Sequence, residues 1–327
     1  MRISRMGFRG FTFAFLLLLA ASAGLARERM EERAFSAQGR PTLKIATYRG
    51  TITVESSEES VVRVKITATS GLEDNEAAAR ALARLQLDWR QEGDTLTLRA
   101  SNPAETRVRF VWQDEGRLEV GITLMVPRTC ILDLASGDGG IRVGDITGKV
   151  AVKTGLGTIF CRHVDGPLTA QNDEGDIIVS ACTGDVELKT RRGIIRTGPI
   201  GGRATVTAVN GDIDLLSVAG GLDARADGGD ITAGIPRKFS GKASLQASGG
   251  DINLKIDPSA NVDLTVSSLW GQVRMIPVGK LNLPLVTESG GLGRRSLVAR
   301  VNAGGTVISA HASGGHVNLT GEVPPFS

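Results

Sequence analysis

Glycine recurs at every ninth position through the middle of this chain, and the spacing constrains the fold more than any other feature. The series runs Gly148, Gly157, Gly166, Gly175, Gly184, Gly193, Gly202, Gly211, Gly220 and Gly229. Apolar or small residues stand two and four positions after these glycines, a period that is typical of a strand with one buried side. A fixed period indicates that each repeat packs its apolar face against the neighbouring repeats.

Neighbouring nine-residue segments are not equivalent, so the true repeat is 18 residues long. The first inward position is isoleucine in every second segment, at Ile141, Ile159, Ile177, Ile195, Ile213 and Ile231. A corner position is apolar at every eighteenth residue, at Ile146, Val164, Cys182, Ile200 and Val218. We therefore predict an all-β fold, a β-solenoid (β-helix) with about 18 residues per coil. Each coil has two strands, one apolar corner and one solvated turn.

The repeat shifts by three residues after Ala233, and Phe239 then takes the corner position. The glycine spacing resumes at Gly241 and Gly250. A loop that bulges from one coil is the simplest explanation.

The repeats divide the chain into four regions. Residues 128–256 are predicted to form the regular solenoid coils. Residues 27–127 are predicted to form a β-rich N-terminal cap region with a helix near 73–85, where strong helix formers cluster. Such a cap shields the open end of the solenoid from unwanted strand pairing. Residues 257–327 are predicted to form irregular C-terminal coils and a loop, in which the glycine-rich stretch 277–295 is a loop or an excursion from the coils.

Residues 1–26 have the pattern of a signal peptide, with Arg2, Arg5 and Arg9 before a short apolar run. Cleavage is predicted after Ala23 or Ala26, and an uncleaved anchor is the alternative. The segment holds three of the basic residues and no acidic one, so its removal lowers the formal net charge from +3 to zero. A neutral chain gives no electrostatic case for nucleic acid. We expect export to the periplasm or cell surface, with no membrane span after cleavage.

The organisation of the chain resembles that of the bacterial putative-adhesin family with β-strand repeats, domain of unknown function 4097. The resemblance rests on the strand pair Leu43–Val54, on Val126-Pro127 before the first coil, and on Gly-Asp-Ile motifs. Those motifs begin at Gly175, Gly211, Gly229 and Gly250. The similarity covers about residues 40–320. It implies an exported β-helical protein, with "adhesin" a label based on shape, and it implies no catalytic residues.

The aspartates of these motifs are the first candidates for chemistry. Asp212, Asp230 and Asp251 occupy equivalent positions in successive coils, so their carboxylates could line up one strand apart. Stacked acids repel each other, and a bound cation would relieve the repulsion. Paired carboxylates can also serve as acid and base. The favoured interpretation is structural, because an aspartate beside glycine readily bonds to turn amides.

Other reactive side chains are scattered. Cys161 and Cys182 fall on inward and corner positions, so we predict buried thiols, with a disulfide between adjacent coils as the alternative. Cys130 precedes the first coil and is also expected to be buried. The remaining candidates are His163, His311 and His316, too dispersed for a metal site, and the basic spot of Arg191, Arg192 and Arg196. No catalytic, cofactor-binding or metal-binding residue is assigned.

We therefore expect an exported, non-enzymatic β-solenoid of adhesin-like type that offers a binding or scaffolding surface in the cell envelope. Its partner would be an envelope or cell-surface molecule, a glycan or a protein, and no cofactor is predicted. One alternative is a carbohydrate-active β-helix enzyme that uses the outward aspartates. The other is an envelope rod that assembles end to end, since the C-terminal end is less clearly protected than the N-terminal end.

Overall fold

A computed structural model describes residues 27–37, 39–103, 118–276, 281–291 and 293–322. The predicted signal peptide lies outside these ranges, and so does part of the predicted β-rich N-terminal region. The described strands form two long sheets, of 13 and 14 strands, and the chain winds from one to the other. The prediction of an all-β solenoid is confirmed.

The sheet of 13 strands, here called sheet A, carries the isoleucine column. Its strands are β1 (Glu28–Ser36), β3 (Ile52–Ser57), β4 (Val61–Ser70), β7 (Leu118–Pro127), β9 (Ile141–Thr147), β11 (Ile159–Asp165), β13 (Ile177–Cys182), β15 (Ile195–Ile200), β17 (Ile213–Val218), β19 (Ile231–Ile235), β21 (Ile252–Ile256), β23 (Val273–Ile276) and β27 (Val317–Gly321).

The sheet of 14 strands, sheet B, faces it across the core. Its strands are β2 (Thr42–Thr47), β5 (Gln86–Glu92), β6 (Thr95–Ser101), β8 (Ile131–Asp138), β10 (Val150–Leu156), β12 (Leu168–Glu174), β14 (Val186–Arg192), β16 (Ala204–Asn210), β18 (Leu222–Ala226), β20 (Ala243–Ala247), β22 (Val262–Leu269), β24 (Leu285–Gly291), β25 (Arg294–Val301) and β26 (Thr306–Ala312).

Residues 18 apart are vertical neighbours in the regular coils. Ile159, Ile177 and Ile195 pair directly in parallel register, and all three are fully buried. Across the predicted insertion the offset becomes 21, since Ile231 pairs with Ile252. Phe239 is buried at the corner, as its position predicts. Because each coil buries the same type of side chain at this position, successive coils have the same shape and stack directly on one another. This stacking explains the strict 18-residue period.

The repeated glycines are required by the close approach of consecutive turns. Gly211 has a φ of 152°, and a Cβ atom there would lie 2.0 Å from the carbonyl oxygen of Gly193 one coil away. Both the backbone conformation and the lack of space exclude other residues without a shift of the turn.

A buried polar ladder runs along the same position of four successive sheet B strands, and the sequence analysis did not predict it. Its members are Ser136, Thr154, Asn172 and Thr190, 18 residues apart. The Thr154 hydroxyl donates to the carbonyl of Gly139 at 2.8 Å, and the Asn172 amide donates to that of Gly157 at 2.6 Å. These side chains satisfy turn carbonyls that the strand ladders leave open.

At both ends the order of coils in space departs from their order in the chain. The β6–β7 coil lies outside the earlier β2–β3 coil, and the β26–β27 coil is inserted between β20–β21 and β22–β23. Much of the region predicted as a cap, 27–127, therefore stacks in coil register, and β1, β4, β5 and one helix lie beyond the coils. Coils also continue through the described part of the region 257–327, as predicted, with β22, β23, β26 and β27.

Two local predictions need adjustment. The helix, α1, spans Asn75–Ala83, shorter than predicted, because the Asp74 side chain caps its N-terminus by accepting the Ala77 N–H at 2.9 Å. The glycine-rich stretch 277–295 is not simply a loop. Its described part contains β24, which forms an antiparallel hairpin with β25, because backbone pairing outweighs the low strand propensity of glycine.

Candidate binding surface

The interior of the solenoid is filled by apolar side chains from both sheets, which form one continuous cluster. Functional groups are therefore restricted to the outer faces, the turns and the ends. In the described ranges, no helix is long and apolar enough to cross a bilayer.

The motif aspartates form a ladder of hydrogen bonds along one turn. Asp212 accepts the backbone N–H of Asp230 at 3.0 Å, and Asp230 accepts that of Asp251 at 2.7 Å. Asp251 accepts the N–H of His316 at 2.7 Å. Each carboxylate thus bonds an amide in the next coil, which lowers the mutual repulsion of the column. Among the described residues, no group of three or more acidic, histidine or cysteine side chains is placed to hold a metal ion.

The three cysteines are buried and form no disulfide, and the Cys182 thiol donates to the carbonyl of Gly166 at 3.2 Å. Burial raises the pKa of Cys130 and of Cys161 to about 12, and that of Cys182 to about 11. Cys161 pairs with Val179 and Cys182 with Val164, so the two cysteines occupy different columns of adjacent coils. They fill apolar space and are not poised for chemistry.

The basic spot is neutralised by neighbouring acids. Arg192 lies 2.7 Å and Arg191 3.7 Å from the Glu174 carboxylate, and Arg196 lies 3.4 Å from that of Asp214. All of these pairs are exposed, so they contribute little to stability. His163, at the outward position of β11, lies apart from this spot, in register with Asp145 and Ala181.

A serine–histidine pair on the outer face of sheet B was not predicted. Ser267 Oγ lies 2.9 Å from His311 Nδ1, and Ser313 Oγ lies 3.4 Å from His311 Nε2. No carboxylate of the described chain bonds to this ring, so the pair lacks the orienting acid of a catalytic triad.

An amphipathic patch lies on the outer face of sheet A. The Arg142 guanidinium lies 5.2 Å from the centroid of the Phe160 ring, a cation–π contact. Phe160 is followed in the same outward column by Ile178 and then Arg196. Beside Phe160 in β11, Arg162 forms a two-point hydrogen bond to Asp145, with both contacts at 2.7 Å. We call Arg142, Phe160, Arg162, Ile178 and Arg196 the Arg–Phe patch.

The sequence contained a signal for this patch. Phe160 and Ile178 stand between two inward apolar residues, at positions where the other outward residues of the column are polar. Two apolar residues at outward positions of adjacent coils place an apolar spot on an otherwise polar face.

A groove opens at the C-terminal end of the solenoid, between the last strands of the two sheets. Its volume is about 410 Å³. The residues that line it are Gln272, Val273, Glu288, Ser289, Gly290, Arg295, Ser296 and Leu297.

Comparison with known structures finds proteins of similar overall length. A putative adhesin from Bacteroides fragilis is 14% identical, covering 90% of this chain and 97% of its own, with a TM-score of 0.41. A putative adhesin from Parabacteroides distasonis is 11% identical, with coverages of 89% and 97% and a TM-score of 0.38. A structure from the same organism described as a putative lipid binding protein is 10% identical, with coverages of 89% and 96% and a TM-score of 0.28.

No curated protein matches the chain in sequence. A profile of the family described as Toastrack DUF4097 does match, over residues 40–320. These residues include all the regular coils and most of both ends, so the chain belongs to the Toastrack family.

Proposed function

We propose that this protein is an exported, non-enzymatic binding scaffold of adhesin-like type, and that the Arg–Phe patch is its contact surface. The observation that carries the proposal is the cation–π contact of Arg142 with Phe160 on a flat, outward sheet face. Arginine and aromatic side chains supply most of the binding energy at protein interfaces. A rigid sheet holds them in place, so little entropy is lost on binding.

The charge of the patch suggests what it binds. The patch has three arginines, and two of them, Arg162 and Arg196, contact single carboxylates at exposed positions. The two-point bond holds Arg162 more firmly, whereas the single, exposed contact of Arg196 is weak, so a carboxylate of a partner can compete for the Arg196 guanidinium. The partner is therefore an acidic envelope or cell-surface molecule with an apolar group that fits beside Phe160.

Export is proposed from the N-terminal sequence, with its basic residues, short apolar run and small residues near the cleavage site. The names of similar structures, which include putative adhesins, agree with an envelope location. The absence of enzymatic activity is part of the proposal. It is supported by the use of the motif aspartates as acceptors for turn amides.

The proposal is tested by binding measurements with a matched pair of arginine variants. Arg196→Ala removes an exposed arginine of the patch, and Arg225→Ala removes an arginine of similar exposure, paired with Asp227 at 3.1 Å, from sheet B. The mature protein is immobilised and exposed to acidic glycans, acidic peptides and solubilised cell envelope. We expect Phe160→Ser and Arg196→Ala to weaken retention at least about tenfold, with Arg225→Ala unchanged.

Equal binding by all three variants would overturn the assignment of the patch. Turnover of an anionic polysaccharide by the wild type, lost in Asp230→Asn, would overturn the non-enzymatic part of the proposal.

A further inference from the structure

The two sheets end at different heights at the C-terminal end. Sheet A ends at β23, whereas sheet B continues beyond β22, the strand of the same coil, through β25 and β24. With about 4.8 Å between neighbouring strands, the described part of sheet B rises about 10 Å above sheet A. The outer edge of β23 and the outer edge of β24 both remain without a neighbouring strand among the described residues.

The difference in height between the two sheets, here called the step, exposes side chains that point toward the core. Met275 pairs with the buried Leu319 and so faces inward, yet it is 48% exposed. Val286 pairs with the buried Ala299 across the hairpin, and it is 40% exposed. In the regular coils such positions are closed by the opposite sheet. Here β25 and β24 have no strand of sheet A opposite them, β23 has no next strand in its own sheet, and the groove lies between.

We propose that two copies of the chain dock through their C-terminal ends as a two-fold symmetric dimer. A two-fold axis parallel to the strands and between the sheets places sheet A of one copy above sheet B of the other. The two-strand step of each copy then fills the gap in its partner, so that β23 meets the partner's β24 twice. A two-fold axis perpendicular to the sheets would instead stack sheet B on sheet B and leave sheet A with a gap.

Strand directions are compatible with this pairing. β24 is antiparallel to β25, which is antiparallel to β22, so β24 runs in the coil direction of sheet B. Because the turn within a coil reverses the chain, β23 runs the opposite way. The two edges would therefore form an antiparallel ladder, the commoner strand arrangement. Both unpaired edges, which otherwise invite aggregation, are closed.

The chemistry of the step also fits a second copy. In the dimer β25 faces the partner's β24, so Leu297 and Ala299 face the partner's Val286. Glu288 and Arg295 both line the groove. Glu288 is in register with Leu297, so the symmetry places Glu288 opposite the partner's β25 and one inward position from the partner's Arg295, within reach of that long side chain. Each copy thus presents an acidic and a basic side chain that the opposite charges of the other copy can pair. The interface buries core-side apolar residues that are half-exposed in one copy.

This inference is independent of the proposed function, since it involves the end of the rod and not the outer face. It has a consequence for binding, because a dimer carries two Arg–Phe patches. Because the axis puts the sheets A of the two copies on opposite sides of the rod, the two patches face opposite ways, and one dimer would link two ligand-bearing surfaces.

The test is sedimentation velocity of the mature protein over a concentration series. We expect a monomer–dimer equilibrium that Met275→Lys weakens at least about tenfold, because the new charge would be buried in the interface. Met30→Lys is the matched control, since Met30 is 51% exposed on β1 at the opposite end. It should leave the equilibrium unchanged. Circular dichroism and the urea midpoint verify that both variants are folded.

A mixing experiment separates a direct contact from a structural effect. Glu288→Arg and Arg295→Glu should each weaken self-association by placing like charges opposite each other. A mixture of the two variants should form heterodimers of wild-type affinity, because both cross-copy pairs are then restored with opposite charges. A monomer throughout the micromolar range, growth into filaments, a dimer unaffected by Met275→Lys, or no heterodimer on mixing would overturn the proposal.

Discussion

The two ends of the solenoid close the same apolar core in different ways. At the N-terminal end, Phe35 of β1 and Trp89 of β5 meet across the sandwich, with ring centroids 5.6 Å apart. The Arg33 guanidinium lies 4.6 Å from the centroid of the Trp89 ring. On the same side of β1, Glu31 contacts Arg33 at 2.7 Å and Arg29 at 3.4 Å. Phe35 and Trp89, here called the aromatic plug, therefore cover this end of the core. The ion pairs of Arg29, Glu31 and Arg33, here called the charged row, lie on the same side of β1.

The C-terminal end has no such row among its described residues. The last strand of sheet A presents Val273 and Met275 on its core side, and sheet B presents Val286 and Glu288. This contrast indicates that the end of a sheet needs its own means of closure, beyond the end of the repeat. The last strand must carry charged residues at inward positions or aromatic rings that cross the gap, or else another chain must cover it.

The largest expected difference between the ends is in thiol reactivity. In dilute, monomeric protein at pH 8, Met275→Cys should react with iodoacetamide on the order of 10³-fold faster than the native cysteines, because burial raises their pKa to about 11 or 12. Phe35→Cys, beneath Trp89, should react more slowly than Met275→Cys. Mass spectrometry of labelled peptides measures the rates. Rapid labelling of Cys161 without unfolding would contradict a closed interior.

Truncation of the plug should affect stability more than truncation at the open end. Trp89→Ala should lower the free energy of unfolding by about 3 kcal/mol, since it removes the ring that packs on Phe35. Met275→Ala should cost the monomer about 0.5 kcal/mol or less. Urea unfolding measures both. Equal losses would mean that the two ends are closed equally well.

The charged row on β1 should contribute less than the plug. Glu31→Ala leaves Arg29 and Arg33 facing each other at half-buried positions, and we expect a loss of about 1 kcal/mol in urea unfolding. Glu59→Ala, which breaks the exposed pair with Arg63, is the control and should change stability by about 0.5 kcal/mol at most. If Glu31→Ala is as mild as the control, the row is not needed for closure.

The smallest effect is expected at the ion pair that ties β25 to β22. The hydrogen bond from Arg300, aided by one from the Gly305 N–H, lowers the pKa of the Asp263 carboxyl from 3.8. A carboxyl with a lowered pKa stabilises the fold above its unfolded-state pKa, and this contribution disappears as pH falls through the folded-state value. The small stability gap between wild type and Asp263→Asn should therefore be present at neutral pH and vanish in acid. A gap that widens in acid would reverse this sign.

Much of the regular fold could be predicted because its signal is local and repeated. The isoleucine column and the insertion after Ala233 were correct, since in a solenoid the same pattern that defines a strand also fixes its neighbour. The polar ladder of Thr154 and Asn172 recurs with the same period and could have been found by the same reasoning. The aspartates were correctly predicted to bond turn amides, but those amides belong to the next coil, since the partner of Asp230 is the backbone N–H of Asp251, 21 residues away.

The coil, its length, its buried columns and the positions of its glycines are specified locally in the sequence, because each follows from one period repeated many times. The arrangement of the two ends emerges only in the folded chain. The β26–β27 coil lies between β20–β21 and β22–β23, and the β6–β7 coil lies outside β2–β3. Both positions depend on pairing between segments that are distant in the sequence and share no period. The unequal heights of the sheets follow from these insertions and from the β24–β25 hairpin. They leave Met275 and Val286 on the core side but exposed, which no local pattern of residues specifies.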